Sequence, residues 1–188
     1  MALLTEVDFG TPKVTANKQV TLTVDGTNIS VPEGTSVMRA AAEAGIKIPK
    51  LCASDNLNAF GSCRLCVCTI EGKRGTPASC TTPVENGMNV VTKNDQITKI
   101  RKGVMELYLS DHPVDALSKP GAKESEFFKM IEETGVVSVR YGLAGDSHLN
   151  SVVDDTNPYF VFDESKCILC SRCVRACDEV QGTLALTV

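Results

Sequence analysis

The chain lacks the features that mark several common classes of protein. It has no run of about 18 uninterrupted apolar residues, the length that a membrane-spanning helix needs. Its first ten residues carry acidic side chains and no basic region followed by an apolar run, so we expect no secretory signal peptide. A net charge of -4 without a basic stripe argues against a nucleic-acid surface. We therefore expect a cytoplasmic protein, in which clustered cysteines are more often metal-binding or catalytic than disulfide-bonded.

Motifs for catalysis are also missing. No Gly-x-Gly-x-x-Gly follows a predicted strand, so we expect no dinucleotide site in this chain. No nucleophile–base pair is visible either. We do not expect the chain to catalyse a reaction by itself, although it can be part of an oxidoreductase.

What the chain has is cysteine: eight of its nine cysteines fall into two groups. The first group has the spacing C-x10-C-x2-C-x13-C. Four thiolates suit a [2Fe–2S] cluster, with two on each iron. The small residues Gly61 and Ser62 would let backbone N–H groups approach the cluster. The alternative is a structural zinc site, but zinc ribbons usually show two close pairs. The predicted ligands are Cys52, Cys63, Cys66 and Cys80.

Cys68, the ninth cysteine, lies two residues after a predicted ligand. We interpret it as a buried small hydrophobic residue, because free cysteine commonly packs in that way.

The second group has the spacing C-x2-C-x2-C-x3-C, which suits a [4Fe–4S] cluster. In ferredoxins with two clusters, the fourth cysteine of such a run binds the other cluster and a proline usually follows it. Here Asp178 follows, and no second run is present. Two alternatives stay open: Cys177 completes its own cluster, or it binds one whose other ligands lie outside this chain. The predicted ligands are Cys167, Cys170, Cys173 and Cys177.

The pattern of apolar residues predicts an α+β fold. Two alternating runs, 20–24 and 28–31, flank Asp-Gly and predict a hairpin. A helix capped by Thr35 or Ser36 is predicted up to Ala44, with strands over 64–70 and 87–91. Hairpin, helix, cysteine loop and further strands are the layout of a small β-grasp domain.

Helical patterns dominate the middle of the chain. Residues 94–110 predict a helix whose apolar stripe includes Ile97 and Leu107, and residues 125–133 predict a second, short helix. After Gly182, residues 183–188 predict a final apolar strand.

Several motifs together resemble a known family. They are Leu51-Cys52, Phe60-Gly-Ser-Cys-Arg-Leu-Cys66, Pro77-Ala-Ser-Cys-Thr-Thr-Pro83, Ser110-Asp-His-Pro-Val-Asp115 and Lys166-Cys-Ile-Leu-Cys-Ser-Arg-Cys-Val-Arg-Ala-Cys177. They resemble the N-terminal region of the cytosolic NAD-dependent, molybdenum- or tungsten-containing formate dehydrogenase alpha subunit. The same module is shared more loosely with the large iron–sulfur subunit of respiratory complex I, the diaphorase subunit of NAD-reducing hydrogenases, and iron-only hydrogenases.

The resemblance implies a domain organisation. Residues 19–98 would be a plant-ferredoxin-like β-grasp domain with a [2Fe–2S] cluster, and the polar residues 1–18 before the matching region are predicted from their composition to be a flexible leader. Residues 99–157 would match a helical region that normally holds a [4Fe–4S] cluster on one histidine and three cysteines. Residues 158–188 would begin a ferredoxin-type [4Fe–4S] domain. The implied partners are a catalytic molybdopterin-type subunit and a flavin- and NAD-binding diaphorase subunit.

The chain departs from the family in the middle region. His112 is present, but the positions of the three cysteines hold Ala116, Lys119 and Ser125, which are not a ligand set for iron. We therefore interpret His112 as a leftover polar residue. We interpret His148, in an Asp/Ser/Asn loop, as a surface residue. Nothing of the family's large molybdopterin-binding domain is present in the chain.

Three functional hypotheses follow. The first is an electron-transfer subunit that relays single electrons between a formate-oxidising site and an NAD-reducing flavin partner. The second is a free-standing [2Fe–2S] ferredoxin, whose acidic balance would suit basic partners. The third is a non-redox role, as a scaffold for subunit contacts or as an iron or oxygen sensor.

Overall fold

The computed structural model describes residues 7–113, 117–118, 122–141 and 152–187. The described residues divide into two units. One contains the described parts of Met1–Ile97 and Ser171–Val188, and the other contains those of Thr98–Cys170. The domain boundaries implied by the resemblance stay a prediction.

The first unit begins with the predicted hairpin. Strands β1 (Gln19–Val24) and β2 (Thr27–Pro32) pair antiparallel, with Val24 opposite Thr27. Asp25 and Gly26 have φ values of 47° and 82°, as a two-residue turn with left-handed central residues requires. The alternating residues Val20, Leu22 and Val24 are buried, so one face of the hairpin builds the core. The hairpin prediction is confirmed.

Two short strands complete a four-stranded sheet with the order β2-β1-β4-β3. Strand β3 is Thr69–Ile70 and strand β4 is Asn89–Val91; β4 pairs parallel with β1 and antiparallel with β3. The prediction of a strand over 64–70 is wrong for its first half. Arg64 has a φ of 56°, which is left-handed and incompatible with an extended strand. Between Arg64 and β3 the pairing is limited to one bridge, Val67 to Ala78.

Helix α1 (Val37–Glu43) begins directly after Ser36, one of the two residues predicted to cap it. The side chain of Ser36 accepts a hydrogen bond from the Arg39 N–H, which satisfies one of the free donors of the first turn. Val37, Ala40 and Ala41 are buried against the sheet side of the unit. The helix ends one residue before the predicted Ala44, which is its C-cap.

Asp8, inside the predicted flexible leader, is bound to the loop after α1. Its carboxylate accepts hydrogen bonds from the Gly10 N–H at 2.8 Å and the Asp55 N–H at 3.1 Å, and pairs with Lys50 Nζ at 2.6 Å. Burial opposes ionisation of Asp8, but the Lys50 ammonium and the amides of Gly10 and Asp55 outweigh it. The pKa of Asp8 therefore lies below its usual 3.8.

Two further residues of that leader are buried. Thr11 is 4% exposed, and its hydroxyl lies 2.7 Å from that of Ser36. Arg39 donates a hydrogen bond of 2.5 Å to the Thr11 carbonyl. Gly10 is buried beside Met38. Residues 1–6 lie outside the described residues, and residues 8–11 are anchored rather than free.

Helix α2 (Asp95–Ser110) leads into the second unit, where helix α3 (Glu126–Thr134) follows a short 3₁₀ turn, Ala122–Glu124. Ser125 caps α3, and Gly135 ends it in the left-handed conformation. The predicted apolar stripe of α2 is only partly right. Ile97 is fully buried, whereas Leu107 is 58% exposed, and the fully buried Met105 is not part of the predicted stripe.

The C-terminal part of the chain has little regular structure. A 3₁₀ turn, Glu164–Lys166, precedes the second cysteine group, which continues through helix α4 (Arg172–Arg175) and a π-helical turn, Ala176–Val180. The predicted strand over 183–188 is wrong for the described residues 183–187, which form no strand. Leu184 is 79% exposed there, and a strand needs a partner for its backbone groups.

The helices and sheet confirm the α+β class. None of the helices in the described ranges has both the length and the apolar character that crossing a lipid bilayer requires.

Candidate metal centre

The four cysteines of the first group are all buried in the first unit. Cys52, Cys63, Cys66 and Cys80 are each at most 2% exposed. Backbone pairing brings the last two together: the Ser79 N–H donates to the Cys66 carbonyl at 3.0 Å. The Cys66 and Cys80 sulfurs then lie 3.4 Å apart.

The other two cysteines of the group also make a direct contact. The Cys63 N–H donates to the Cys52 sulfur at 3.4 Å. The closest contacts thus arrange the four residues as two pairs, Cys52 with Cys63 and Cys66 with Cys80. A [2Fe–2S] cluster needs two thiolates on each iron, so this arrangement fits it.

Contacts among the thiols divide them into two that ionise easily and two that do not. Hydrogen bonds from the thiols of Cys63 and then Cys80 lower the pKa of Cys52 to about 2. A hydrogen bond from Cys80 lowers the pKa of Cys66 to about 7. The same shared protons raise the pKa of Cys63 and Cys80. Since the thiolate is the form that binds metal, a cluster that binds here would have to displace the protons that these thiols share.

The chemistry of the donor set also suits a cluster. Four buried sulfurs are the soft ligands that iron–sulfur clusters take. Within the part of the chain that the structure describes, no group of three or more His, Cys, Asp or Glu side chains, the four thiols included, has the arrangement of a metal-ion site, so the fit to a cluster rests on the donor chemistry and on the pairing of the thiols.

Cys68 is fully buried in the hydrophobic core of the first unit. Its sulfur lies 3.7 Å from the Pro77 carbonyl, and its N–H donates to that carbonyl at 3.0 Å. This placement is what the interpretation of Cys68 as a small core residue predicts.

The backbone around Cys63 takes up conformations that turn the chain sharply. Gly61 has a φ of 71°, and a Cβ there would lie 3.1 Å from Thr81 Cγ2. A small residue is therefore required before Cys63, as the sequence predicts. Arg64, directly after Cys63, is also left-handed, at some cost in strain.

The second cysteine group is distributed over both units. Cys167 and Cys170 belong to the second unit, and the Leu169 N–H donates to the Cys167 sulfur at 3.4 Å. Cys173, on α4, and Cys177, on the π-helical turn, belong to the first unit. All four are at least partly exposed, in contrast to the first group.

An open cavity adjoins Cys173 and Cys177. Its volume is about 690 Å³, and both cysteines line it together with Ser54 and Leu57 of the Cys52 loop. This space next to two thiols gives the C-terminal segment room for a cofactor or for a ligand from elsewhere.

Two arginines within the second cysteine group have contacts that the sequence does not predict. Arg175 is buried and donates hydrogen bonds to the Cys52 carbonyl and, at 2.5 Å, to the Asn58 carbonyl. Arg172 donates to the Ala53 carbonyl at 2.7 Å. Their spacing of three residues puts both on one helix face, but only the fold shows what they contact.

The middle region gives partial information. His112 is buried and its ring lies 4.6 Å from the Phe127 ring, between centroids. Ser125 is the N-cap of α3, which explains its presence without a metal. Ala116, Lys119 and His148 lie outside the described residues.

Two family models match the chain. Residues 17–95 match the family described as a 2Fe-2S iron-sulfur cluster binding domain, and residues 160–179 match a 4Fe-4S binding domain. The chain therefore contains a [2Fe–2S] cluster-binding domain and a [4Fe–4S]-binding segment. Both predicted cofactors, and the fold predicted to carry them, are confirmed.

Similar proteins are found among the subunits of hydrogenases and NADH oxidoreductases. The chain is 38% identical over 167 residues to the NADP-reducing hydrogenase subunit HndD of Solidesulfovibrio fructosivorans, covering 86% of this chain and 28% of that protein. It is 34% identical over 165 residues to the mitochondrial NADH-ubiquinone oxidoreductase 78 kDa subunit of Candida albicans, covering 87% of this chain and 23% of that protein. The chain thus spans less than a third of the length of these relatives.

A solved structure is also similar. The crystal structure of an NAD+-reducing [NiFe]-hydrogenase in the H2-reduced state superposes with a TM-score of 0.79 at 29% identity. The match covers 89% of this chain and 69% of that one.

Proposed function

We propose that this chain is an iron–sulfur electron-transfer module of an NAD-linked oxidoreductase complex. The observation that carries the proposal is the buried group of four thiols inside a domain of the [2Fe–2S]-binding family. Similarity to subunits of an NADP-reducing hydrogenase and an NADH-ubiquinone oxidoreductase supports it. In this role the clusters accept and release single electrons.

The residues of the chain have three tasks in this proposal. The cysteines bind the clusters, with the first group on [2Fe–2S] and the second on [4Fe–4S]. The apolar core excludes water from the first site, and this burial tunes its potential. The proposed ligands are Cys52, Cys63, Cys66, Cys80, Cys167, Cys170, Cys173 and Cys177.

The contacts of the C-terminal segment support a relay within the chain. Without the middle cysteines, no third cluster bridges the two sites along the sequence. However, Arg172 and Arg175 bind the backbone of the Cys52 loop, so Cys173 lies on a helix that touches this loop. This contact supports a relay that runs from the C-terminal segment to the first cysteine group without a middle cluster.

The partners form the finer part of the proposal. We infer a cytoplasmic complex in which a molybdenum or tungsten site oxidises formate and a flavin subunit reduces NAD+, with this module between them. The domain organisation is proposed with the boundaries 19–98, 99–157 and 158–188.

Anaerobic co-purification of the tagged chain tests this assignment. We expect a flavoprotein and a molybdenum or tungsten protein to elute with it. Formate should then bleach the visible absorbance of the clusters, and NAD+ should restore it.

The outcomes separate the alternatives. Bleaching by NADH or hydrogen but not by formate would keep the electron-transfer role and replace the donor. A chain that elutes alone yet exchanges electrons with added carriers would be a free-standing ferredoxin. A cluster-free chain that still assembles with partners would be a scaffold and would contradict the proposal.

A further inference from the structure

The loop that carries Cys52 is held in place by the C-terminal cysteine segment. Residues 52–60 form an irregular loop, without the ladder of hydrogen bonds that fixes a strand. Buried backbone groups in such a loop need partners from elsewhere. Side chains between residues 172 and 179, more than 110 positions later, supply several of them.

Arg175 is the central residue of this contact. It is 9% exposed, and its guanidinium donates to the carbonyls of Cys52 and Asn58. It also lies over the Phe60 ring, 5.4 Å from the centroid. One buried cation thus contacts the first residue of the loop, its middle and its end.

Two neighbours complete the contact from either side. Arg172 donates to the Ala53 carbonyl at 2.7 Å. Glu179 accepts a hydrogen bond of 2.7 Å from the Asn58 N–H. Asn58 therefore has both its N–H and its C=O bound by the C-terminal segment, which restricts the loop more than either bond alone.

The position of Arg175 in the chain gives this contact a consequence. It lies two residues after Cys173 and two before Cys177. Any shift of the backbone between these cysteines moves the guanidinium that binds the Cys52 carbonyl. Its charge also acts across a poorly hydrated region, where electrostatic interactions are weakly screened.

We propose that Arg175 is a positioning residue that makes the [2Fe–2S] site depend on the C-terminal cysteine segment. It fixes the Cys52 loop, and its buried positive charge favours the reduced cluster, which carries one more negative charge. Binding of a cofactor by Cys173 and Cys177 would therefore be sensed at Cys52. The inference rests on Cys52 being a cluster ligand, as proposed above.

Three variants of the full chain separate position from charge. R175M removes the charge and the donors, R175K keeps the charge but not the forked geometry, and R74M removes a charge from an exposed turn as a control. Two quantities are measured on anaerobically purified protein. They are the [2Fe–2S] potential, by titration followed by electron paramagnetic resonance, and hydrogen exchange of residues 52–60.

The proposal predicts a distinct result for each variant. R175M should speed exchange in the loop roughly tenfold, since hydrogen bonds from a charged donor are lost. It should also lower the equilibrium constant for reduction of the cluster about tenfold, which shifts the midpoint potential by about -59 mV for a one-electron couple. R175K should keep most of the potential while the loop still exchanges faster. R74M should change neither quantity.

Other results would overturn the inference. If R175M had the same loop hydrogen exchange and the same [2Fe–2S] potential as the wild type, Arg175 would neither position the Cys52 loop nor tune the cluster. If R175M and R175K had equal [2Fe–2S] potentials, both below that of the wild type, the charge of Arg175 would have no role in the potential. If R175M cannot retain a cluster, hydrogen exchange of residues 52–60 in R175K is the deciding measurement. An exchange rate equal to that of the wild type would then count against the inference. A wild-type chain without [2Fe–2S] would defeat the proposed function, yet exchange in the cluster-free variants would still test the contact.

Discussion

Gly10→Ala tests whether the segment before β1 is packed on the domain. Gly10 has a φ of 88°, and a Cβ built on it would lie 2.4 Å from Met38 Sδ and 3.0 Å from Met38 Cγ. Met38 is itself 2% exposed, so its side chain has little room to move. The substitution therefore causes both backbone strain and overpacking.

The magnitude follows from two separate costs. A left-handed conformation costs a residue with a Cβ about 1–2 kcal/mol. Overpacking a filled core typically costs a further ~1–3 kcal/mol. We expect G10A to lower the free energy of unfolding by about 2–5 kcal/mol. Gly26→Ala is the matched control, because Gly26 has a φ of 82° but no atom within 4 Å of its added Cβ.

Chemical denaturation of the two variants measures the difference. We expect G26A to lose only the backbone part, about 1–2 kcal/mol, with an unchanged denaturant slope. If G10A loses no more stability than G26A, then Gly10 is not packed against Met38. The residues before β1 would then behave as the flexible leader that the sequence predicts.

Three further predictions concern the site, the pH dependence and helix capping. C63S should abolish the [2Fe–2S] signal in electron paramagnetic resonance and leave the other cluster, whereas C68S should retain both. Loss of both signals in C63S would contradict the assignment of the two cysteine groups to separate clusters. D8N should make the free energy of unfolding less sensitive to acid. Because Lys50 lowers the pKa of Asp8 in the folded state, Asp8 contributes fully to stability above pH about 4, and this contribution is lost as the pH falls through the folded pKa. Equal acid sensitivity of D8N and wild type in denaturant midpoints would refute this. S36A should cost about 1 kcal/mol through the lost cap of α1, and an unchanged thermal midpoint would show that the cap is not formed.

Local signals explain which parts of the fold the sequence predicts well. Asp25-Gly26 between alternating runs defines a hairpin whose register depends only on adjacent residues. Ser36 likewise caps α1 through a residue three positions away. The spacing of the first cysteine group predicts that its thiols come together, which the contacts of Cys52 with Cys63 and of Cys66 with Cys80 show, while their role as iron ligands stays a prediction.

The errors arise where distant contacts decide the structure. The segment after Cys63 has strand-like residues, but Arg64 takes up a left-handed conformation that interrupts an extended strand. The apolar residues 183–187 have no neighbouring strand to pair with in the described structure. The bond from Arg175 to Cys52 joins residues 123 positions apart, and no local pattern reveals it.

The central claim is that the chain holds two iron–sulfur clusters. The most direct test is low-temperature electron paramagnetic resonance of the anaerobically purified, dithionite-reduced chain, with iron and acid-labile sulfide counted on the same sample. We predict two distinct signals and about six irons per chain, from one [2Fe–2S] and one [4Fe–4S] cluster. A chain that carries zinc in place of iron, with no labile sulfide and no signal, would contradict the account.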